Sequence, residues 1–240
     1  MDTAILEIKD LSFAYDKINV LEQVSFDGYP GEVLVLAGPN GSGKTTMIKL
    51  LFDLLEKKQG DIRVFEKPHA ELDQKKRMYY RSSENVLPQF LTGDEYVRMM
   101  CRLYDVDVDE ELYASLIQYY AMESRMDHLI ENYSHGMVKK IQLITAFLLQ
   151  LDITVVDETL NGIDIEAKEV SKVLLRKLVE KNKLVVMCTH DLELAEQIGD
   201  SAILLYKGAI QETVNLKEQK RSLTDIFKEL IGFKETDYAI

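Results

Sequence analysis

Cysteine is scarce in this chain. Cys101 and Cys188 are the only two, and they form no close pair. That argues against a disulfide framework or a structural zinc site, and it fits a reducing cytosol. Long apolar runs are missing as well. The richest, Ile141-Gln-Leu-Ile-Thr-Ala-Phe-Leu-Leu-Gln-Leu151, is too short to span a bilayer and reads as a buried helix. Any membrane role must therefore come through a partner. Positive charge is in deficit: 29 Lys and Arg stand against 41 Asp and Glu, a net charge of −12. General attraction to nucleic acid or to an anionic membrane is disfavoured, whereas a phosphate site needs only local positive charge. The opening Met1-Asp-Thr-Ala-Ile-Leu-Glu-Ile-Lys9 lacks the basic-then-apolar pattern of a secretory signal. No internal repeat, low-complexity linker or guanine-reading Asn-Lys-x-Asp motif occurs. What is there is 240 residues with 46% hydrophobic and 29% charged content. That suffices for a soluble globular protein with a sizeable core, in one large domain or one with a subdomain.

The stretch Gly38-Pro-Asn-Gly-Ser-Gly-Lys-Thr-Thr46 organises the rest. It follows Val33-Leu-Val-Leu-Ala37, an apolar run that reads as a fully buried strand, and precedes Met47-Ile-Lys-Leu-Leu-Phe52, which suits a helix. Strand, glycine-rich turn and helix together are the context a phosphate-binding loop requires. Gly38, Gly41 and Gly43 let backbone N–H groups converge on phosphate oxygens without interference from a Cβ. The helix N-terminus adds unpaired N–H groups and partial positive charge. Pro39, Asn40, Ser42 and Thr46 complete the loop. Lys44 would reach the β- and γ-phosphates, and the Thr45 hydroxyl would ligate Mg²⁺.

Around this loop the pattern alternates. Residues 4–8 and Val20–Phe26 read as antiparallel strands joined by a turn at Asp16-Lys-Ile-Asn19. Tyr15, between them, is either an ordinary strand aromatic or a ring that lies over an adenine base. The helix after the loop is expected to run to about Glu56, with Lys57-Lys-Gln-Gly60 as its C-terminus. A short strand, Asp61–Phe65, follows, then a short helix within Pro68–Lys76 and a weak strand at Arg77–Tyr80. From about Pro88 to Gln150 the pattern is helical. Thr92 and Glu95 form a capping box, Asp105–Glu111 reads as a solvated acidic connection into Leu112–Met122, and Ser134 opens a long helix through Leu151. Strands at Ile153–Val156 and Leu184–Cys188 then alternate with helices at Ile165–Glu180 and Leu192–Ile198. Ser201–Tyr206 and Gly208–Glu212 read as a hairpin. Beyond it, Ile226, Phe227, Leu230, Ile231 and Phe233 mark an amphipathic helix docked on the domain.

Three further features bear on chemistry. Asp157 and Glu158 close a buried strand. Asp157 can hold the Mg²⁺ shell, and Glu158 can polarise a water for attack on a γ-phosphate. His190, in Thr-His-Asp, also ends a strand. The carboxyl ends of parallel strands share one crevice, so His190 should face the same edge. Tyr133-Ser-His-Gly-Met137 opens a helix and forms a second anion site, distant in sequence from the first.

Taken in order, Tyr15, Gly38–Thr46, Tyr133–Met137, Val155-Val-Asp-Glu158, Asn161-Gly-Ile-Asp164 and Thr189-His-Asp191 resemble an ATP-binding-cassette (ABC) ATPase. The likeness covers residues 4 to 212, roughly. It implies an α/β P-loop NTPase (RecA-like) core with an N-terminal antiparallel β subdomain. The ATPase domain would be 1–212, with a helical subdomain inserted at 88–150 and a C-terminal extension at 213–240. Tyr15 matches the adenine-stacking aromatic, Gly38–Thr46 Walker A, and Asp157 and Glu158 Walker B with its catalytic carboxylate. Ser134, His135, Gly136 and Met137 match the signature, Asn161, Gly162 and Asp164 the loop that crosses the dimer interface, and His190 the switch histidine. The family implies ATP and Mg²⁺ as ligands and a head-to-tail dimer, here expected between identical chains. In it each phosphate loop faces the partner's signature helix.

Two departures bear on rate. Aligning Leu91-Thr92 with the family's Leu-Thr places Ser83 where a glutamine usually reaches toward Mg²⁺ and the attacking water. Serine can serve that metal site only through a bridging water. In the signature, Tyr133, His135 and Met137 replace leucine, glycine and glutamine, while Ser134 and Gly136 remain. Slow basal hydrolysis that rises with the partner present is the expectation. The resemblance implies the ATPase subunit of a transporter, of an exporter type, working on a separately encoded permease at the cytoplasmic face of the cell membrane. The segment at 82–104 would pass motion to that permease. The alternative is a soluble ABC protein of translation or DNA repair. Those typically carry two cassettes or a long coiled coil, neither of which fits here, and a basic surface. A GTPase or small-molecule kinase leaves Tyr133–Met137 unexplained.

Overall fold

The computed structural model describes residues 3–81, 87–158 and 160–232. Strands β1 (Leu6–Tyr15) and β2 (Ile18–Gly28) pair antiparallel. Both run longer than alternation alone suggests, because irregularities in register near Leu11 and Phe13 carry the pairing past the polar Lys9 and Asp10. β3 (Val33–Ala37) is buried throughout, as its uninterrupted apolar run requires. Helix α1 (Lys44–Leu51) stops short of the expected Glu56. Asp53 turns left-handed there (φ 56°), with its carboxylate 2.7 Å from Lys75 Nζ. Lys57–Gly60 is therefore not a helix end. Gly60 lies within β4 (Gln59–Val64) at φ 88°, where a Cβ would meet the Asp10 carbonyl oxygen at 2.6 Å. Glycine marks a close crossing of β1 at that point, and not a cap.

Short β5 (Lys67–Pro68) and α2 (Leu72–Lys75) lead to β6 (Met78–Arg81). The helical stretch holds α3 (Gly93–Leu103), α4 (Glu110–Tyr119), a 3-10 turn at Ile130–Asn132, and α5 (His135–Leu149). Thr92 and Glu95 cap α3 reciprocally: the Glu95 N–H donates to Thr92 Oγ1 at 3.2 Å, and the Thr92 N–H to Glu95 Oε2 at 2.9 Å. Part of the acidic connection is helix after all. Asp109 caps α4 by accepting from the Leu112 N–H at 3.0 Å, and Glu110 and Glu111 form its first turn, where carboxylates favour the positive end of the helix dipole. The chain then alternates through β7 (Ile153–Asp157), α6 (Ile165–Glu180), β8 (Leu184–Thr189), α7 (Leu192–Ile198), β9 (Ser201–Tyr206) and β10 (Ala209–Asn215). It reaches α8 (Leu223–Leu230), where Leu223 is buried and the Phe227 ring meets Tyr206 edge-on at 6.1 Å. Phe233 lies outside the described residues.

Two sheets result. The smaller has the order β2-β1-β4-β5 and the larger β10-β9-β3-β8-β7-β6. In the larger, β6, β7, β8, β3 and β9 run parallel and β10 returns antiparallel. Its two faces read directly from strand alternation. Val33, Val35 and Ala37 face one core with α5, α6 and α7, while Leu34 and Leu36 face the other with α1 and the small sheet. Burial on both faces, at about 1.5–3 kcal/mol per large aliphatic side chain, sets the register and hence which residues meet at the carboxyl edge. Among the described residues no helix is long and apolar enough to cross a membrane.

Candidate nucleotide site

The register of the central strands assembles the site. Ala37 of β3 lies opposite Thr189 of β8, and Asp157 of β7 lies opposite Cys188. The segments after Ala37, Asp157 and Thr189 therefore leave the sheet at one edge. A cleft of about 310 Å³ opens there, lined by Val20, residues 40–46, Asp157 and Glu158.

The loop is shaped by its glycines. Gly41 and Gly43 have φ of 79° and 108°, left-handed backbone that a side chain would strain. Gly38 is pressed against the β9 end, where a Cβ would fall 2.1 Å from the Leu205 carbonyl oxygen. Gly208, in the turn between β9 and β10, donates its N–H to the Ser42 carbonyl at 3.1 Å, and its own carbonyl accepts from the Glu22 N–H at 2.9 Å. The Ser42 hydroxyl is buried with no hydrogen-bond partner among the described residues. Lys44 is 5% exposed, and its Nζ donates to the carbonyls of Gly38 (2.7 Å) and Pro39 (3.0 Å). Burial pushes its pKa down, against the opposing pull of Cys188, Glu158 and Asp157. Its cap Gly43 offers no side chain, so the first turn of α1 is open to an anion.

Asp157 is buried at the wall of the cleft. The Tyr80 hydroxyl donates to its Oδ2 at 3.4 Å, and Arg81 Nη1 to its carbonyl at 3.4 Å. Arg81 is itself fully buried, and burial brings its guanidinium down to about 10 although Tyr79 and Asp157 oppose the shift. Glu158 adopts φ 48° and donates its N–H to the Cys188 carbonyl at 3.0 Å. That turn brings its carboxylate Oε1 to 2.8 Å from His190 Nδ1. The β7–β8 pairing thus joins the two strand-end groups that the sequence placed 32 residues apart. Tyr80 and Arg81 were not anticipated. Their signal was position alone: β6 runs parallel beside β7, so its end shares the same edge.

The segment expected to form a second anion site lies elsewhere. Ser134 caps α5, its Oγ accepting from the Met137 N–H at 3.3 Å. Tyr133 donates its hydroxyl to the Arg125 carbonyl at 2.8 Å and covers Gly93, where a Cβ would fall 2.2 Å from that hydroxyl. The tyrosine therefore anchors α3 to the start of α5. A Cβ on Gly136 would sit 3.7 Å from the Gly162 carbonyl oxygen, an ordinary contact, so the loop 160–164 rests on α5 of the same chain. Lys139 Nζ donates to the Asn161 carbonyl. Lys140 Nζ lies 2.6 Å from Asp164, whose Oδ1 accepts from the Ala167 N–H at 2.9 Å and caps α6. None of Ser134, His135, Gly136, Met137, Asn161, Gly162 or Asp164 lines the cleft, nor does Tyr15. Tyr15 is 44% exposed and packs edge-on against Phe13 at 4.9 Å. Ser83 lies outside the described residues.

A parallel α/β sheet whose first buried strand feeds a glycine loop and a lysine-bearing helix, with carboxylates on a neighbouring strand, defines a P-loop nucleotide hydrolase. Residues 21–161, more than half of the chain, match the family model described as ABC transporter. The protein belongs to that family, as a single cassette of the ATP-binding, ATP-hydrolysing kind. It is similar to the ABC-type transporter ATP-binding protein EcsA of Bacillus subtilis (strain 168), at 30% identity over 95% of this chain and 96% of that one. The SkfA peptide export ATP-binding protein SkfE of the same organism is 27% identical over 87% of this chain and 88% of its own length. A solved structure described as the ATP binding subunit of an ABC transporter superposes with a TM-score of 0.88 at 29% identity, covering 95% of this chain and 99% of that one.

Proposed function

We propose that this chain is the ATPase subunit of a membrane transporter, which binds ATP with Mg²⁺ in the phosphate-loop cleft and closes onto a second copy of itself. Its partner is a separately encoded integral-membrane permease, which holds it at the cytoplasmic face of the cell membrane. The observation that carries the reading is the 2.8 Å contact of His190 with Glu158, which lines the cleft together with Lys44 and Asp157. Resemblance to a peptide-export subunit supports transport, and export as its direction.

Each residue has a role suited to its place. The backbone N–H groups of Gly38–Thr46 and the ammonium of Lys44 bind the phosphate chain. The Ser42 hydroxyl, without a hydrogen-bond partner among the described residues, can donate to it, and the left-handed backbone at Gly41 and Gly43 curls the loop around it. The Thr45 hydroxyl and the Asp157 carboxylate supply hard oxygen donors of the kind Mg²⁺ prefers, and Tyr80 orients the carboxylate from behind. Bound there, Mg²⁺ would neutralise charge on the β- and γ-phosphate oxygens. Glu158 accepts a proton from the attacking water, and His190 holds its carboxylate in place. Tyr15, half-exposed beyond the cleft, stacks on the base. Ser134 and Gly136 complete the site of the second copy, across which Asn161–Asp164 makes contact.

The test is Glu158→Gln. Loss of a general base of this kind slows turnover by about 10²–10⁴-fold, while ATP binding is retained and an ATP-bound dimer accumulates in size-exclusion chromatography. Turnover equal to that of the unaltered protein would sink the assignment.

A further inference from the structure

Lys139 stands between the two halves that a dimer would bring together. It lies on α5, whose N-terminus is capped by Ser134. Its ammonium donates to the Asn161 carbonyl. The Asn161 N–H in turn donates back to the Glu158 carbonyl at 3.4 Å, closing the turn that begins at the proposed base. Gly162 follows at φ 74°, and a Cβ there would lie 3.2 Å from Lys139 Nζ. The ammonium therefore sits against Asn161 and Gly162. Its surroundings agree with that place: burial and Arg81 lower its pKa, and Glu158 opposes them. A continuous set of contacts thus runs from Ser134 along a single helix to Lys139, then through Asn161 to the backbone of Glu158.

We propose that Lys139 is a positioning residue that latches the interface loop to the helix bearing Ser134. Displacement of that helix end, when Ser134 meets ATP held by a second copy, then reaches Glu158 through Asn161. One side chain would let each protomer sense, at its own base, whether its signature end is engaged. The rigid helix transmits the displacement because its backbone hydrogen bonds leave it little freedom to bend, and the loop follows because the ammonium binds it at one carbonyl. The idea rests on the reading above, in which Glu158 acts on water and Ser134 faces the partner's ATP.

The test uses the full-length chain, with permease wherever turnover requires it. Lys139→Met keeps an unbranched side chain one atom shorter and removes the donor, and Lys139→Gln restores a donor without charge at that same length. In the nucleotide-free chain, hydrogen exchange of the Leu160–Asp164 amides should accelerate at least ~5-fold in Lys139→Met, with α5 unchanged. In turnover, the same variant should lose at least ~10-fold in kcat with KM for ATP within about twofold, and Lys139→Gln should recover most of both losses. Unchanged exchange, an unchanged kcat, or a loss confined to KM would each overturn the latch. A melting temperature that falls together with general exchange across α5 would also overturn it, since Lys139 would then only stabilise the helix. The Glu158→Gln control separates the two ideas. If that variant still turns over, the reading of the site fails whatever Lys139 does; if it is inactive while Lys139→Met behaves as the unaltered protein, only the latch fails.

Discussion

Helices α1 and α5 both begin at glycine-bearing segments that can offer N–H groups to an anion, yet they begin differently. α1 starts from Gly43 in left-handed backbone, with no side chain to accept from its first turn. α5 starts from Ser134, whose hydroxyl already accepts the Met137 N–H. A serine cap is favoured over a glycine cap by only about a few tenths of a kcal/mol, so α1 begins slightly the less stable of the two. Its first turn faces a cleft in which an anion can supply the missing acceptors. The two starts teach that an uncapped N-terminus leaves its first N–H groups for a ligand, whereas a serine-capped one satisfies one of them from within the chain.

The comparison can be broken most directly at Lys44. Lys44→Ala removes the charge at the open start, and ATP affinity, followed with a fluorescent nucleotide, should fall by at least ~100-fold, the scale of a lost charge-assisted contact. Normal affinity would mean that the open helix start alone holds the phosphates. A smaller effect is expected at the capped start. Ser134→Ala costs about 1 kcal/mol of stability and should lower turnover while leaving ATP affinity of the isolated chain within about twofold. If it weakened binding as Lys44→Ala does, both starts would serve one site in one chain, and the contrast would collapse. The smallest effect lies at Lys140. Its hydrogen bond, with that from the Ala167 N–H, holds the Asp164 carboxyl below its ordinary range. A carboxyl depressed in the folded state stabilises fully above its unfolded pKa, and that stability disappears as pH falls through the folded pKa. Lys140→Met should therefore melt slightly below the unaltered protein at neutral pH, by an exposed ion pair's worth of about 0.2–1 kcal/mol. The gap should close in acid, and a gap that persists there would show that Lys140 acts by packing.

Much of this was legible in the chain. The buried strand at Val33–Ala37, the loop after it, and the strand ending in Asp157 and Glu158 follow from apolar runs closed by residues of special chemistry. The Thr92 and Ser134 caps follow from local hydrogen bonding. The errors came where distant segments decide local ones. α1 ends at Leu51 where Asp53 turns left-handed and meets Lys75, and Gly60 reads as a cap until β1 is seen to pass over it. Tyr80 gave no sign beyond a weak strand and Arg81 lay past its expected end, because their meaning depends on β6 lying beside β7.

The sequence by itself determined the phosphate loop, the order of strands and helices, and the kinds of groups at strand ends, because glycine geometry, hydrophobic period and capping act over a few residues. Only the tertiary structure decided that Glu158 meets His190, that the Ser42 hydroxyl has no partner among the described residues, and that Lys139 reaches Asn161. Those pairings depend on sheet register and on how α5 docks, and both are set by burial of side chains far apart in the chain. A shift of one residue in β8 would carry His190 away from Glu158 without altering any local pattern.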